Sequence, residues 1–292
     1  MTAPATVLRA DSVTRRFGTA TAVDAVTMDV RAGEVVGLLG ANGAGKTTLI
    51  RMLLGLLPVS EGIVALFGGP PDRRRRSRLG YVPQNLGLYR DLTVAENLAF
   101  SADAYGVEVP AIPADLADAG HTLVAELPLG TQRQVAFLVA LAHRPEVLVL
   151  DEPTSGVDAL SRAHLWDTIR DQADAGTAVL VTTHYMEEAQ QCDRLLLMAD
   201  GRLVASGDEA AIIGETRAIV VHSDDWTRTF VALATADIPV ILSGTTIRVP
   251  DTDISTIDAA LCAAHITAQL DPVPATIEER MLTLARRGAS TA

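Results

Sequence analysis

Cysteine is nearly absent from this chain: two residues, Cys192 and Cys262, in 292. They form no close-spaced pair, which excludes a disulfide-stapled scaffold or a cysteine-rich metal site and implies reduced thiols. Aromatic residues make up only 4%. No apolar run approaches the roughly 20 residues of a membrane-spanning helix. The longest, at 135–142 and 147–150, are of core size. The opening MTAPATVLRADS lacks the basic segment and apolar stretch of a secretory leader, so none is expected. Positive charge is scarce too, with 24 Lys and Arg against 36 Asp and Glu, a net charge of −12. A general nucleic-acid binder needs a basic footprint, so nucleic acid is not an expected partner. One basic run, DRRRRSRLG at 72–80, is expected to be a solvated loop ahead of the strand LGYV.

Hydrophobic residues are plentiful at 48%, so the chain is globular. Its length suits one large domain with a small appendage. Residues 1–32 alternate apolar and polar, as antiparallel strands do. EVVGLL, EVLVL and TAVLVTT read as strands buried on both faces, and GIVALFG and RLGYV as further short strands. Helical patterns lie at TTLIRMLLGLL, VAENLAFSADAY and 130–143, and a short helix is expected in ADLADAGHTLVAEL. Strand, helix and strand alternate, which implies a mostly parallel sheet with helices against it, an α/β fold. From 216 the texture changes. AIVVHS, IPVILSG and TTIRVP read as strands, DISTIDAALCAA and TIEERMLTLARR as helices, together a small α+β appendage over 216–292.

The stretch GANGAGKTT at 40–48 fits G-x-x-x-x-G-K-[ST] and lies between a buried strand and a helix. Gly43 and Gly45 let the backbone curl so that successive N–H groups face a phosphate. The helix N-terminus adds its dipole, Lys46 neutralises charge, and the Thr47 hydroxyl suits Mg²⁺. Asp151 ends a buried strand beside this loop and can hold Mg²⁺ through its water shell. Glu152 follows and can orient or deprotonate a water. His184 ends the strand TAVLVTTH, where it can touch a phosphate or that water. Gln84, after the strand LGYVP, can reach Mg²⁺ or water with its amide. Phe17 can stack on a base. The histidines at 121, 143, 164, 222 and 265 read as structural.

Together these motifs resemble the nucleotide-binding subunit of an ABC transporter, over roughly residues 6–214. The resemblance implies a P-loop cassette with an antiparallel β subdomain and a helical subdomain at about 85–145, within a domain spanning 1–215. It identifies Gly40, Ala41, Asn42, Gly43, Ala44, Gly45, Lys46, Thr47 and Thr48 as the ATP-binding Walker A motif. Gln84 matches the Q-loop, and LVLDEPTSGVD matches Walker B followed by the D-loop, with Ser155, Gly156 and Asp158. His184 matches the switch histidine. ATP and Mg²⁺ are then the implied cofactors, with Thr47, Gln84 and Asp151 around the metal. A second cassette and an integral membrane permease are the implied partners. The implied location is the cytoplasm, peripheral on the inner face of the cytoplasmic membrane.

Two features depart from the family pattern. The signature, usually Leu-Ser-Gly-Gly-Gln, here is Leu127, Pro128, Leu129, Gly130 and Thr131. It is similar to the variant found in certain bacterial multidrug exporters, and it implies a partner-facing site built differently. Gln84 and Leu127 stand only 43 positions apart, which implies a trimmed helical subdomain with VEVPAIP in place of a helix. The expected function is ATP hydrolysis that powers export of a drug-like or other hydrophobic compound. Two alternatives stay open at this point: a catalytically impaired regulatory cassette, and a soluble ABC ATPase outside transport.

Overall fold

The computed structural model describes residues 5–183 and 185–289. The chain divides into two compact units, Met1–Ser206 and Gly207–Ala292. The expected boundary at 215/216 falls later than this division, because the short helix at 209–213 packs with the C-terminal helix of the second unit.

In the first unit, β1 (Thr6–Phe17) and β2 (Ala20–Arg31) form a long antiparallel pair. Next come β3 (Val35–Leu39), α1 (Lys46–Leu53), β4 (Glu61–Leu66), α2 (Arg73–Arg76), β5 (Leu79–Val82) and α3 (Val94–Tyr105). They are followed by α4 (Leu129–Leu141), β6 (Val147–Asp151), α5 (Ala159–Asp174), β7 (Ala178–Thr183), α6 (Met186–Ala189), β8 (Arg194–Ala199) and β9 (Arg202–Gly207). Two sheets result. One is antiparallel, in the order β2-β1-β4; the other runs β5-β6-β7-β3-β8-β9, and its pairs from β5 to β8 are parallel.

The parallel sheet is buried on both faces, which explains the continuous apolar runs of its strands. Successive side chains point to opposite faces. Val36, Leu38, Val147, Val149 and Leu180 pack with α1 and the antiparallel sheet. Val35, Leu148, Leu150, Val179 and Val181 pack instead with Phe137 of α4 and with Leu165 and Ile169 of α5. Two cores thus clamp β3, β6 and β7, and the ends of these strands carry the chemistry.

Two local expectations change. Residues 114–127 form two short 3₁₀ stretches, at Ala114–Ala119 and Val124–Glu126, rather than one helix. Main-chain N–H groups that would have bonded within a helix go elsewhere: Val124 donates to Leu92 O and Ala125 to Arg90 O. The basic run is not a plain loop either. Arg73–Arg76 make one helical turn, with Asp72 accepting from the Arg75 N–H and pairing with its guanidinium. In contrast, α3 has the start its sequence encodes. The Thr93 hydroxyl accepts from the Glu96 N–H while the Glu96 carboxylate accepts from the Thr93 N–H, a capping box.

The second unit contains α7 (Glu209–Ile213), β10 (Arg217–His222), α8 (Trp226–Thr235), β11 (Ile241–Ser243) and β12 (Thr246–Pro250). It ends with α9 (Ile254–Ala263), β13 (Gln269–Pro274) and α10 (Ile277–Ala289). Its sheet is antiparallel, ordered β11-β12-β10-β13, so the chain from β10 to β13 traces a β-α-β-β-α-β split sandwich. Ile219, Val221, Ile247 and Val249 of the sheet close on Leu233 of α8 and on Ile257 and Leu261 of α9. Neither α8 nor β13 was expected from the sequence. Pro272 and Pro274 disguise β13, and both are tolerable because it is an edge strand.

Candidate functional site

The loop between β3 and α1 is shaped by glycine. Gly45 has φ 99° and caps α1; a Cβ there would stand 2.4 Å from Ala22 O. Only a residue without a side chain fits. Gly43, at φ 85°, has nothing within 4 Å of where a Cβ would be, so the loop is open on that side. Lys46 is buried, and its ammonium donates to Gly40 O at 2.7 Å and Ala41 O at 3.1 Å. Burial pushes its pKa below the ordinary lysine value, against the opposing charges of Glu152 and Asp151. Among the remaining loop residues, Ala41 and Asn42 are exposed, Ala44 is buried, and Thr48 is half-buried.

Asp151, at the C-terminal end of β6, lies at the foot of this loop and is almost wholly buried. One carboxylate oxygen accepts from the Thr47 hydroxyl at 3.1 Å, the other from the Thr182 hydroxyl at 2.7 Å. Thr182 Oγ1 also accepts from the Glu152 N–H at 2.8 Å. Glu152 sits at φ 51°, an uncommon backbone region for a side-chain-bearing residue. Its Oε2 accepts from the Gln84 amide at 3.1 Å. The fold therefore brings Lys46, Thr47, Gln84, Asp151 and Glu152 together from three stretches separated in sequence. Thr182 belongs to the group but was missed by sequence reasoning. Its only signal was a threonine pair closing a buried strand.

Glu188 was missed too. Buried within unit 1, it accepts from the hydroxyls of Thr154 and Thr183 and so ties the turn after Glu152 to the end of β7. His184 lies outside the described residues. Phe17, at the end of β1, is half exposed, and the Arg15 guanidinium lies 4.7 Å from its ring centre.

The signature residues make a second group. Pro128 is the N-cap of α4, and the Gln132 amide donates to Leu127 O at 2.7 Å. No hydrogen bond among the described residues joins 127–131 to the Lys46 group. These residues meet the loop after Glu152 instead. A Cβ on Gly156 would stand 3.0 Å from Leu129 Cδ2, so the leucine packs on that glycine. A Cβ on Gly130 would stand 2.5 Å from Ser161 Oγ. Asp158 caps α5, accepting from the N–H groups of Leu160 and Ser161 and from the Ser161 hydroxyl. Ser155 O accepts from Arg133 of α4 at 3.1 Å. Thr131, half-buried, follows in the first turn of α4.

The sequence profile described as "ABC transporter" matches residues 23–155. A probable multidrug ABC transporter ATP-binding protein of Escherichia coli is 40% identical over 215 residues, covering 69% of this chain and 37% of that protein. This chain thus spans little more than a third of that relative. A Nod factor export ATP-binding protein of Burkholderia lata is 41% identical over 215 residues, covering 69% of this chain and 71% of the relative. Among solved structures, an ATP-binding subunit of an ABC transporter is similar with TM-score 0.66 and 27% identity, over 70% of this chain and 91% of its own. A dimeric ABC transporter cassette matches in fold, with TM-score 0.61, 21% identity and coverage of 69% and 98%.

Proposed function

Because this chain belongs to the ABC transporter family, as one of its ATP-binding cassettes, we propose that it hydrolyses MgATP to power export through a membrane-embedded permease. The observation that carries this is the hydrogen-bonded group Thr47, Asp151, Thr182, Glu152 and Gln84 beside the glycine loop. The loop N–H groups and Lys46 would hold the nucleotide phosphates.

The residues present fit a magnesium ion carried by the nucleotide. Among the described residues no group of three or more His, Cys, Asp or Glu could hold a metal alone. A hydroxyl from Thr47 beside a buried carboxylate from Asp151 is a suitable partial ligand set, completed by phosphate oxygens and water. When bound, the ion neutralises phosphate charge. The chain's own residues do the rest. Glu152 accepts the proton of the attacking water as its oxygen bonds to the γ-phosphorus, and the bond to the bridging oxygen breaks to release ADP. Gln84 orients the Glu152 carboxylate from one side, and Thr182 fixes its main chain from the other. This intact group favours an active cassette over an impaired regulatory one.

The export direction and a drug-like or other hydrophobic cargo are proposed from the names of the relatives, which serve multidrug or Nod factor export. The membrane path is proposed to lie in a permease subunit, as the relatives' names as ATP-binding proteins of exporters suggest; among the described residues no helix is long and apolar enough to cross a membrane. A second cassette is the proposed partner across the nucleotide, with 127–131 of each chain facing the other's loop, and the inner membrane face the proposed location. Reconstitution with a candidate membrane permease tests the reading. ATPase activity should rise on adding the permease, vanish in Lys46→Ala, and stall with nucleotide retained in Glu152→Gln. A wild-type rate no greater than that of Lys46→Ala would overturn it.

A further inference from the structure

We propose that Arg133 is a positioning residue. It locks α4 to the loop 155–158 of the same chain, so that the variant signature and the loop carrying Glu152 move as one piece. The inference rests on the reading of this site as an ATPase.

Residues four apart share one helix face. Leu129 and Arg133 are such a pair, and both meet the same loop. Leu129 packs on Gly156, and one turn further on Arg133 donates to Ser155 O at 3.1 Å. Gly130, between them, lies close against Ser161, whose hydroxyl is already bound to Asp158. Two contacts one turn apart prevent the helix from rocking on the loop. A glycine at position 129 would supply no such packing. Pro128 and Leu129, neither able to offer a phosphate a hydroxyl, thus start a helix whose first turn grips its own chain.

An arginine is an expensive choice for stability alone. Arg133 is 4% exposed, and its Nε and Nη1 have no hydrogen-bond partner. Buried donors without acceptors cost free energy, and an apolar side chain of similar length would fill the space more cheaply. Burial lowers the Arg133 pKa, and the charge of Glu152 opposes that shift. The guanidinium is therefore within electrostatic reach of the carboxylate that Gln84 holds from another element. What the charge supplies is the placement of the Glu152 loop relative to α4.

The test compares the full-length wild type with Arg133→Met, Arg133→Lys and Leu129→Gly. It measures kcat and KM for ATP beside the thermal unfolding midpoint, with Lys46→Ala as the inactive reference. Arg133→Met should unfold at the wild-type temperature or above, keep its KM for ATP, and lose kcat by about tenfold, as expected for one charge-assisted hydrogen bond. Arg133→Lys should recover part of that loss. Leu129→Gly should lower kcat in the same direction, by less. If kcat is unchanged in Arg133→Met, or falls together with the unfolding temperature, the positioning role is overturned. If the wild type itself turns over no faster than Lys46→Ala, the ATPase reading fails, and this inference fails with it.

Discussion

Lys46 is the only lysine in the sequence; every other basic side chain of the Lys/Arg class is arginine. An amine-reactive reagent therefore has two kinds of target, this side chain and the chain terminus. Burial lowers the Lys46 pKa, so more of it is the neutral, nucleophilic amine at a given pH than for an exposed lysine. Intact-mass measurement after trinitrobenzenesulfonate treatment should show a Lys46 adduct that forms faster as pH rises and is suppressed by ATP. Equal adduct yield with and without nucleotide would separate Lys46 from the phosphate site. The two cysteines form a similar contrast. Cys192 Sγ lies 2.7 Å from where a Gly37 Cβ would be, and burial pushes its pKa up to about 12, while Cys262 is exposed. The thiolate is the reactive form, so iodoacetamide near neutral pH should alkylate Cys262 and leave Cys192 intact until the protein unfolds. Peptide mapping that finds both modified at equal rates in the folded protein would contradict this.

At the scale of elements, the start of α4 is the informative case. Pro128 caps it without a side-chain hydrogen bond, and proline's missing N–H has no helical partner there. Pro128→Ala should change unfolding free energy by no more than about 0.5 kcal/mol. Gly130→Asp should cost about 1–3 kcal/mol, because its Cβ meets Ser161 Oγ and its charge approaches Asp158. Urea unfolding and ATPase assays on the two variants provide the check, and a larger effect from Pro128→Ala would reverse the argument. The same region shows why 114–127 was misread. Its apolar spacing suits a helix, but tertiary hydrogen bonds to Arg90 and Leu92 take the main-chain donors a helix would have used. The absence of a full helix fits the short interval between Gln84 and Leu127 that the sequence displays.

For the whole molecule, the division after Ser206 separates the proposed nucleotide site from a unit with its own apolar core. We propose that the second unit tunes assembly or regulation. A fragment ending at Ser206 should bind a fluorescent ATP analogue with the affinity of the full chain, because every residue of the Lys46 group precedes that point. A folded fragment that no longer binds the analogue would show that the second unit contributes to the site.

The glycine loop, the acid at the end of β6 and the parallel strands were legible in the sequence for a common reason. Each depends on local chemistry, namely a backbone that only glycine permits, a carboxylate closing an apolar run, and continuous burial on two faces. Tertiary structure decided what depends on distant groups. Only folding brings Gln84 to Glu152 and Thr182 to Asp151, and only folding shows Glu188 tying two turns together. The C-terminal split sandwich stayed hidden because its last strand contains two prolines, whose missing N–H groups are harmless at a sheet edge and unreadable before the edge is known. The signature puzzle divides the same way. The sequence showed that Pro128 lacks the hydroxyl of the family pattern and that Leu129 puts a side chain where that pattern has glycine, and the packed structure showed where Leu129 goes, onto Gly156 of its own chain.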